Sequence, residues 1–162
     1  SVIYDKPNMD IDDLVFVARS MVENYGCKIL FIDYIQILKA SFSMRKKDRR
    51  EQIADISMRL KQLARDLNVP VVVAAQLTRD ADKERPELSS FGESSQIEKD
   101  ADVAILIWKT SEEKEIEQEG KKTKIQQDKH YLLLEKNRDG QKAKIEVFFN
   151  GASQTFEDVN RY

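Results

Sequence analysis

Two apolar runs in this chain each end in a polar residue. Leu30-Phe31-Ile32 leads into Asp33, and the run "VPVVVAA" leads into Gln76. A carboxylate at the tip of an apolar strand can hold Mg²⁺ beside a nucleotide, usually through water. It can equally close a turn by bonding the backbone just beyond. A carboxamide offers both donor and acceptor, so Gln76 can read a γ-phosphate or a nucleophilic water, or simply satisfy the end of a strand. A further group is cationic. "SFSMRKKDRR" carries Arg45, Lys46, Lys47, Arg49 and Arg50 against Asp48, a local excess of four charges. Such a patch can grip nucleic-acid phosphates without reading sequence, or it can be a solvated helix entry.

The elements that must position these groups follow from periodicity. Val2 to Tyr4 reads as a short strand ended by Pro7. In "DIDDLVFVARSMVENYG" the apolar residues Leu14, Val17, Ala18, Met21 and Val22 recur at the helical period. Asp10 suits its N-cap, Asp12 and Asp13 its positive end, and Gly26 its C-cap. "DRREQIADISMRLKQLARDLN" is the clearest helix, with Ile53, Ile56, Leu60, Leu63, Ala64 and Leu67 on one face. "VPVVVAAQ" and "ADVAILIW" are continuously apolar, as parallel strands covered on both faces are. Alternating strands and helices predict a parallel sheet with right-handed crossovers. Near the C-terminus, Asp139–Gly140 and Asn150–Gly151 signal hairpin turns, so antiparallel strands close the sheet. The charged stretch at 111–129 is expected to be a mobile loop or a hairpin arm.

Bulk composition bounds the partners. The 162 residues are 41% hydrophobic and 35% charged, enough for one domain with a densely charged surface. Lys plus Arg is 27 against 29 Asp plus Glu, so any nucleic-acid contact must be local. Cys27 is the only cysteine, which excludes an internal disulfide and fits a reducing compartment. It reads as a small packed residue. No apolar run reaches a membrane span. The opening lacks Met and starts on strand-like residues, so a fragment is expected.

"LFIDYIQIL", "NVPVVVAAQLTRDADKERPELSSFGESSQIEKDADVAILIW" and "LEKNRDGQKAKIEVFFNG" occur in this order. Together they resemble the C-terminal ATPase domain of the bacterial DnaB-type hexameric replicative DNA helicases, over nearly the whole chain. The matching spacings are Asp33-Tyr34-x-Gln36, Pro70 to Gln76, Glu98-x-Asp100-Ala101-Asp102 and Lys136-x-Arg138-x-Gly140. The resemblance implies a RecA-like α/β fold: a mostly parallel sheet with flanking helices and antiparallel C-terminal hairpin strands. It makes residues 1–162 a single partial motor domain. It implies ATP and Mg²⁺ as cofactors, Asp33 as the Walker B carboxylate, and Gln76 as the link from γ-phosphate to the DNA-facing loops. Lys136 and Arg138 resemble the pair that one subunit inserts into its neighbour's ATP site, where a guanidinium stabilises the charge of phosphoryl transfer. Without the resemblance, "KNRDG" reads as a solvated hairpin tip. The implied partners are single-stranded DNA, further copies in a homohexameric ring, primase and a helicase loader, in the cytoplasm.

The chain also departs from that pattern. "SSFGESSQIEKDAD" resembles a DNA-facing channel loop, but Gly92 stands where an arginine is expected and Ser95 where a glycine is. Backbone contacts to phosphate near Glu93, Ser94 and Ser95 remain the expectation. No G-x-x-x-x-G-K-[ST] occurs. By the resemblance, that loop and the water-polarising glutamate precede Val2, and the expectation is an N-terminally incomplete domain that cannot turn over ATP alone. The alternatives are another RecA-like ATPase, of recombinase or circadian-clock type, and a non-catalytic RecA-like module that binds DNA or a partner.

Overall fold

The computed structural model describes residues 1–78, 85–91, 95–118 and 121–159, with the backbone alone at 114, 116–118 and 121–126. The chain forms two compact units, Ser1–Thr78 with Ser89–Ala101, and Arg79–Leu88 with Asp102–Tyr162.

The first unit is α/β. Helix α1 spans Ile11–Tyr25 and opens where the Asp10 carboxylate accepts the Asp13 N–H at 2.9 Å. It ends at Gly26, whose φ of 66° is a left-handed conformation that costs glycine little. Strand β1 is Leu30–Ile32, and helix α2 is Arg49–Leu67. Asp48 caps α2 by accepting the Glu51 N–H at 2.8 Å. Strand β2, Val71–Val73, pairs in parallel with β1, Leu30 opposite Val71 and Ile32 opposite Val73. The short helix α3, Ser95–Asp100, is tied to α2 by Asp100, which accepts from Ser57 Oγ at 2.8 Å and Gln96 Nε2 at 2.8 Å. Ile53, Ile56, Leu60 and Leu63 of α2 are buried with Ile11, Ala18, Leu30, Ile35 and Leu38, and half-buried Cys27 packs against this core.

The second unit is a four-stranded antiparallel meander: β3 Val103–Gln118, β4 Lys121–Asn137, β5 Ala143–Asn150 and β6 Thr155–Asp158. Turns at Asp139–Gly140 and Gly151 join β4 to β5 and β5 to β6, as their sequences predict. Asn150 Oδ1 accepts the Ala152 N–H at 3.1 Å, fixing the last turn. β3 and β4 stay paired from Ser111–Asp128 out to Gln118–Lys121, beyond the His130–Leu134 stretch of β4 that β5 joins. Over its described residues the charged segment is therefore a two-stranded ribbon.

The α/β class and the antiparallel C-terminal strands stand as expected, while three local expectations change. Val2 to Tyr4 is exposed and forms no strand, because among the described residues no neighbouring strand pairs with its backbone. "ADVAILIW" enters the antiparallel sheet, and only one of its faces is covered: Leu106 is 2% exposed but Ile107 58%. The β1–β2 pair is likewise bare on one side, where Phe31 is 73% exposed. A continuous apolar run records what each face tolerates; which face is covered depends on the helices present. Among the described residues no helix is long and apolar enough to cross a membrane.

Candidate functional site

Asp33 follows β1 directly. The backbone then makes a single tight helical turn at Ile35–Ile37, closed by the Ile37 N–H to the Tyr34 carbonyl at 3.2 Å and the Leu38 N–H to the Ile35 carbonyl at 3.2 Å. These bonds close the turn, and the exposed Asp33 carboxylate accepts no hydrogen bond and has no ion-pair partner among the described residues. The ladder between the two strands runs slightly past them, with the Ala74 N–H on the Ile32 carbonyl at 2.9 Å and the Ile35 N–H on the Ala74 carbonyl at 3.0 Å. That places Gln76 just beyond the same end of the sheet as Asp33. Its carboxamide is exposed and has no partner among the described residues.

The backbone of Gln76 is held by a residue that sequence reading left without a role. Gln36 Nε2 donates to the Gln76 carbonyl at 2.9 Å, and the Gln76 N–H donates to Gln36 Oε1 at 3.1 Å. The Gln36 carbonyl in turn accepts Arg49 Nη2 at 2.5 Å. Gln36 could have been noticed as the one polar residue within "YIQIL".

A lone carboxylate suits one kind of metal site. Among the described residues no group of three His, Cys, Asp or Glu side chains could cage an ion. Mg²⁺ at nucleotide sites keeps several waters and needs only one or two carboxylates beside phosphate oxygens. Asp33 fits that requirement.

The cationic segment is less uniform in space than in sequence. Arg45 Nη2 lies 3.2 Å from Asp10 Oδ2, and its guanidinium sits 5.7 Å from the Phe42 ring centroid. Lys47 Nζ is 3.7 Å from Glu51, and half-buried Arg49 is engaged with Gln36. Gln52 Nε2 donates to the carbonyls of Arg45 at 3.3 Å and Lys47 at 2.8 Å, pinning the segment to α2. Lys46 and Arg50 are exposed without an ion pair among the described residues. Ser95 is the exposed first residue of α3. Gly92, Glu93 and Ser94 lie outside the described residues.

In the second unit, Lys136 is the penultimate residue of β4, opposite Ala104, and Arg138 opens the turn just past Asn137. The Arg138 N–H donates to the Asp102 carbonyl at 2.9 Å, and Arg138 Nη1 is 3.2 Å from Asp102 Oδ1. Glu135 is paired with Arg85 at 2.5 Å and Lys142 at 3.5 Å. Gly140 leaves room for the Asn137 side chain: a Cβ there would meet Asn137 Nδ2 at 2.5 Å, so Asn137 would have to shift. Asp102 is the second residue sequence reading left unassigned.

Comparison with known proteins gives the family and the fold. A family model described as the DnaB-like helicase C terminal domain matches residues 1–158. The replicative DNA helicase DnaB of Leifsonia xyli subsp. xyli is 32% identical over 161 residues, covering 97% of this chain and 33% of that protein. The chain thus spans about a third of the length of that relative. Among solved structures, a DnaB-like replicative helicase studied with its interactions with primase superposes with a TM-score of 0.77 at 26% identity, over 98% of this chain and 37% of the other. A second solved structure, an ATPase domain, superposes with a TM-score of 0.75 at 27% identity, over 98% of this chain and 54% of the other. The RecA-like fold expected from sequence is the fold of these domains.

Proposed function

The chain belongs to the DnaB-like helicase C-terminal domain family, and from that premise we propose that it is part of the motor domain of an ATP-driven replicative DNA helicase. In this reading the full protein forms a homohexameric ring in the cytoplasm and hydrolyses ATP with Mg²⁺ at its subunit interfaces. It moves 5′ to 3′ along one DNA strand and unwinds the duplex, with primase and a loader as partners. Asp33 holds the water shell of Mg²⁺, Gln76 reads the γ-phosphate, and Lys136 and Arg138 complete a neighbour's pocket. Arg45, Lys46, Lys47, Arg49 and Arg50 face the strand, as do Glu93, Ser94 and Ser95 through their backbone.

One observation carries this reading. Asp33 and Gln76 lie past the same ends of two parallel neighbours, both exposed, and the described fold uses neither side chain. In open α/β sheets, ligands gather beyond the carboxyl ends of the strands. The test is Asp33→Asn in the full-length protein. ATP hydrolysis is lost while thermal unfolding stays unchanged, because an exposed group without structural contacts contributes little to stability. Near-normal kcat would return Asp33 to a turn residue.

A further inference from the structure

Beyond Ala74 the backbone ladder between the two strands has ended, because the chain after Asp33 has turned away. The Gln36 side chain takes over. A carboxamide presents a donor and an acceptor side by side, as a peptide unit does. Gln36 uses both on the two backbone groups of Gln76, at 2.9 and 3.1 Å. The result is one more rung, made by a side chain. It fixes the Gln76 backbone and leaves the Gln76 carboxamide to face outward.

The other end of Gln36 reaches the cationic segment. Its carbonyl accepts Arg49 Nη2 at 2.5 Å, and Arg49 is the first residue of α2, directly after Arg45 to Asp48. Gln52, on the next turn of α2, holds the carbonyls of Arg45 and Lys47. Within one unit, Arg49 of the cationic segment bonds the Gln36 backbone, and the Gln36 side chain bonds the Gln76 backbone, so a single residue separates the segment from Gln76. A polyanionic strand that drew Arg49 away would remove the donor on the Gln36 carbonyl, in the same residue whose side chain seats Gln76.

We propose that Gln36 is a positioning residue that couples strand binding at the 45–50 segment to the placement of Gln76 at the nucleotide. This rests on the function proposed above. Coupling of this kind is reciprocal, so a nucleotide that fixes Gln76 tightens the strand by the same factor that the strand tightens the nucleotide. Couplings between sites typically amount to about 5- to 150-fold.

The experiment uses the full-length protein and oligo-dT as the strand. Three quantities are read: ATP hydrolysis with and without oligo-dT, the ratio of the two, and amide hydrogen exchange at Gln76. In Gln36→Met, which keeps the volume and removes both hydrogen-bonding groups, the stimulation ratio falls toward one. Exchange at Gln76 quickens about five- to tenfold, the equivalent of one net hydrogen bond. Gln36→Glu keeps an acceptor for the Gln76 N–H, so its exchange stays nearer the parent's. If Gln36 were only a clamp for the sheet end, both rates would fall together and the ratio would hold, which would overturn the proposal. Should Gln36→Met fail to assemble, Arg49→Lys reads the same ratio, since it keeps the charge but shortens the reach to Gln36. A parent protein with no strand-stimulated hydrolysis sinks the proposed function and the coupling with it. A stimulated parent with an unaltered variant ratio sinks only the role of Gln36.

Discussion

Arg138 is joined to Asp102 twice, through its N–H to the Asp102 carbonyl at 2.9 Å and through Nη1 to Oδ1 at 3.2 Å. The backbone bond fixes where the turn begins, and the side-chain pair aims the guanidinium. Both side chains are largely exposed, 64% for Arg138 and 51% for Asp102. An ion pair so wetted is weak. It orients the arginine without trapping it, which suits the role in a neighbour's pocket proposed above.

Arg138→Ala in the full-length protein is expected to lower kcat by about 10³, the scale of a supplied arginine in related NTPases, with little loss of ATP affinity. Asp102→Asn keeps the backbone bond and removes the charge, so its kcat falls by far less. Subunits lacking Arg138 are then mixed with subunits carrying Asp33→Asn. Partial recovery of hydrolysis in mixed rings places Arg138 in its neighbour's site. Full activity of the Arg138→Ala homohexamer would end the assignment.

Strand binding by the cationic segment is expected to be unevenly shared. Lys46 and Arg50 are exposed and unengaged among the described residues, whereas Arg45, Lys47 and Arg49 have partners within the chain. Replacing Lys46 and Arg50 by Ala flattens the dependence of log K on log salt by about 1.4, at ~0.7 per phosphate contact on a single strand. Adding Arg45→Ala and Lys47→Ala changes it by less than that. An unchanged slope in the first double variant makes the segment a solvated helix entry.

A preparation of these 162 residues contains no phosphate-cradling G-x-x-x-x-G-K-[ST]. It is expected to show no significant ATPase activity, with or without DNA. Robust DNA-stimulated turnover by this stretch alone would mean that the nucleotide site has been misread.

At the base of the β3–β4 ribbon, Lys109 beside Asp128, helped by Ser111, holds the Asp128 carboxyl below the usual carboxylate range. Glu112 raises Lys129 above the usual lysine range. A depressed acid contributes stability above its unfolded pKa, about 3.9, and loses it as pH falls through the lower folded value. A raised lysine contributes below about 10.4 and loses its contribution as pH rises through the higher folded value. Between those limits the contributions of Asp128 and Lys129 themselves do not change with pH. NMR titration of Asp128 should give a midpoint below the ordinary value that returns toward it in Lys109→Met. A midpoint indifferent to Lys109 would show that the pair does not persist in solution.

The sequence by itself determined what depends on neighbours within a few residues. The helices α1 and α2, the caps at Asp10 and Gly26, and the turns at Asp139–Gly140 and Asn150–Gly151 were legible because capping, the 3.6-residue period and turn chemistry act over at most one or two helical turns. The polar ends at Asp33 and Gln76 were legible as well, since each interrupts an apolar run. The roles of Lys136 and Arg138 came from the resemblance, because a cation at a hairpin tip looks the same whether or not it meets a phosphate. Only the tertiary structure decided which face of β3 is covered, and that Val2 to Tyr4 pairs with no strand among the described residues. It alone joined Gln36 to Gln76 across 40 residues and Asp102 to Arg138 across 36, and divided the five cations between internal partners and solvent. These outcomes depend on which distant backbone groups are left unpaired once the strands have aligned. Local composition does not record that vacancy, and the packed chain fills it with whichever side chain reaches.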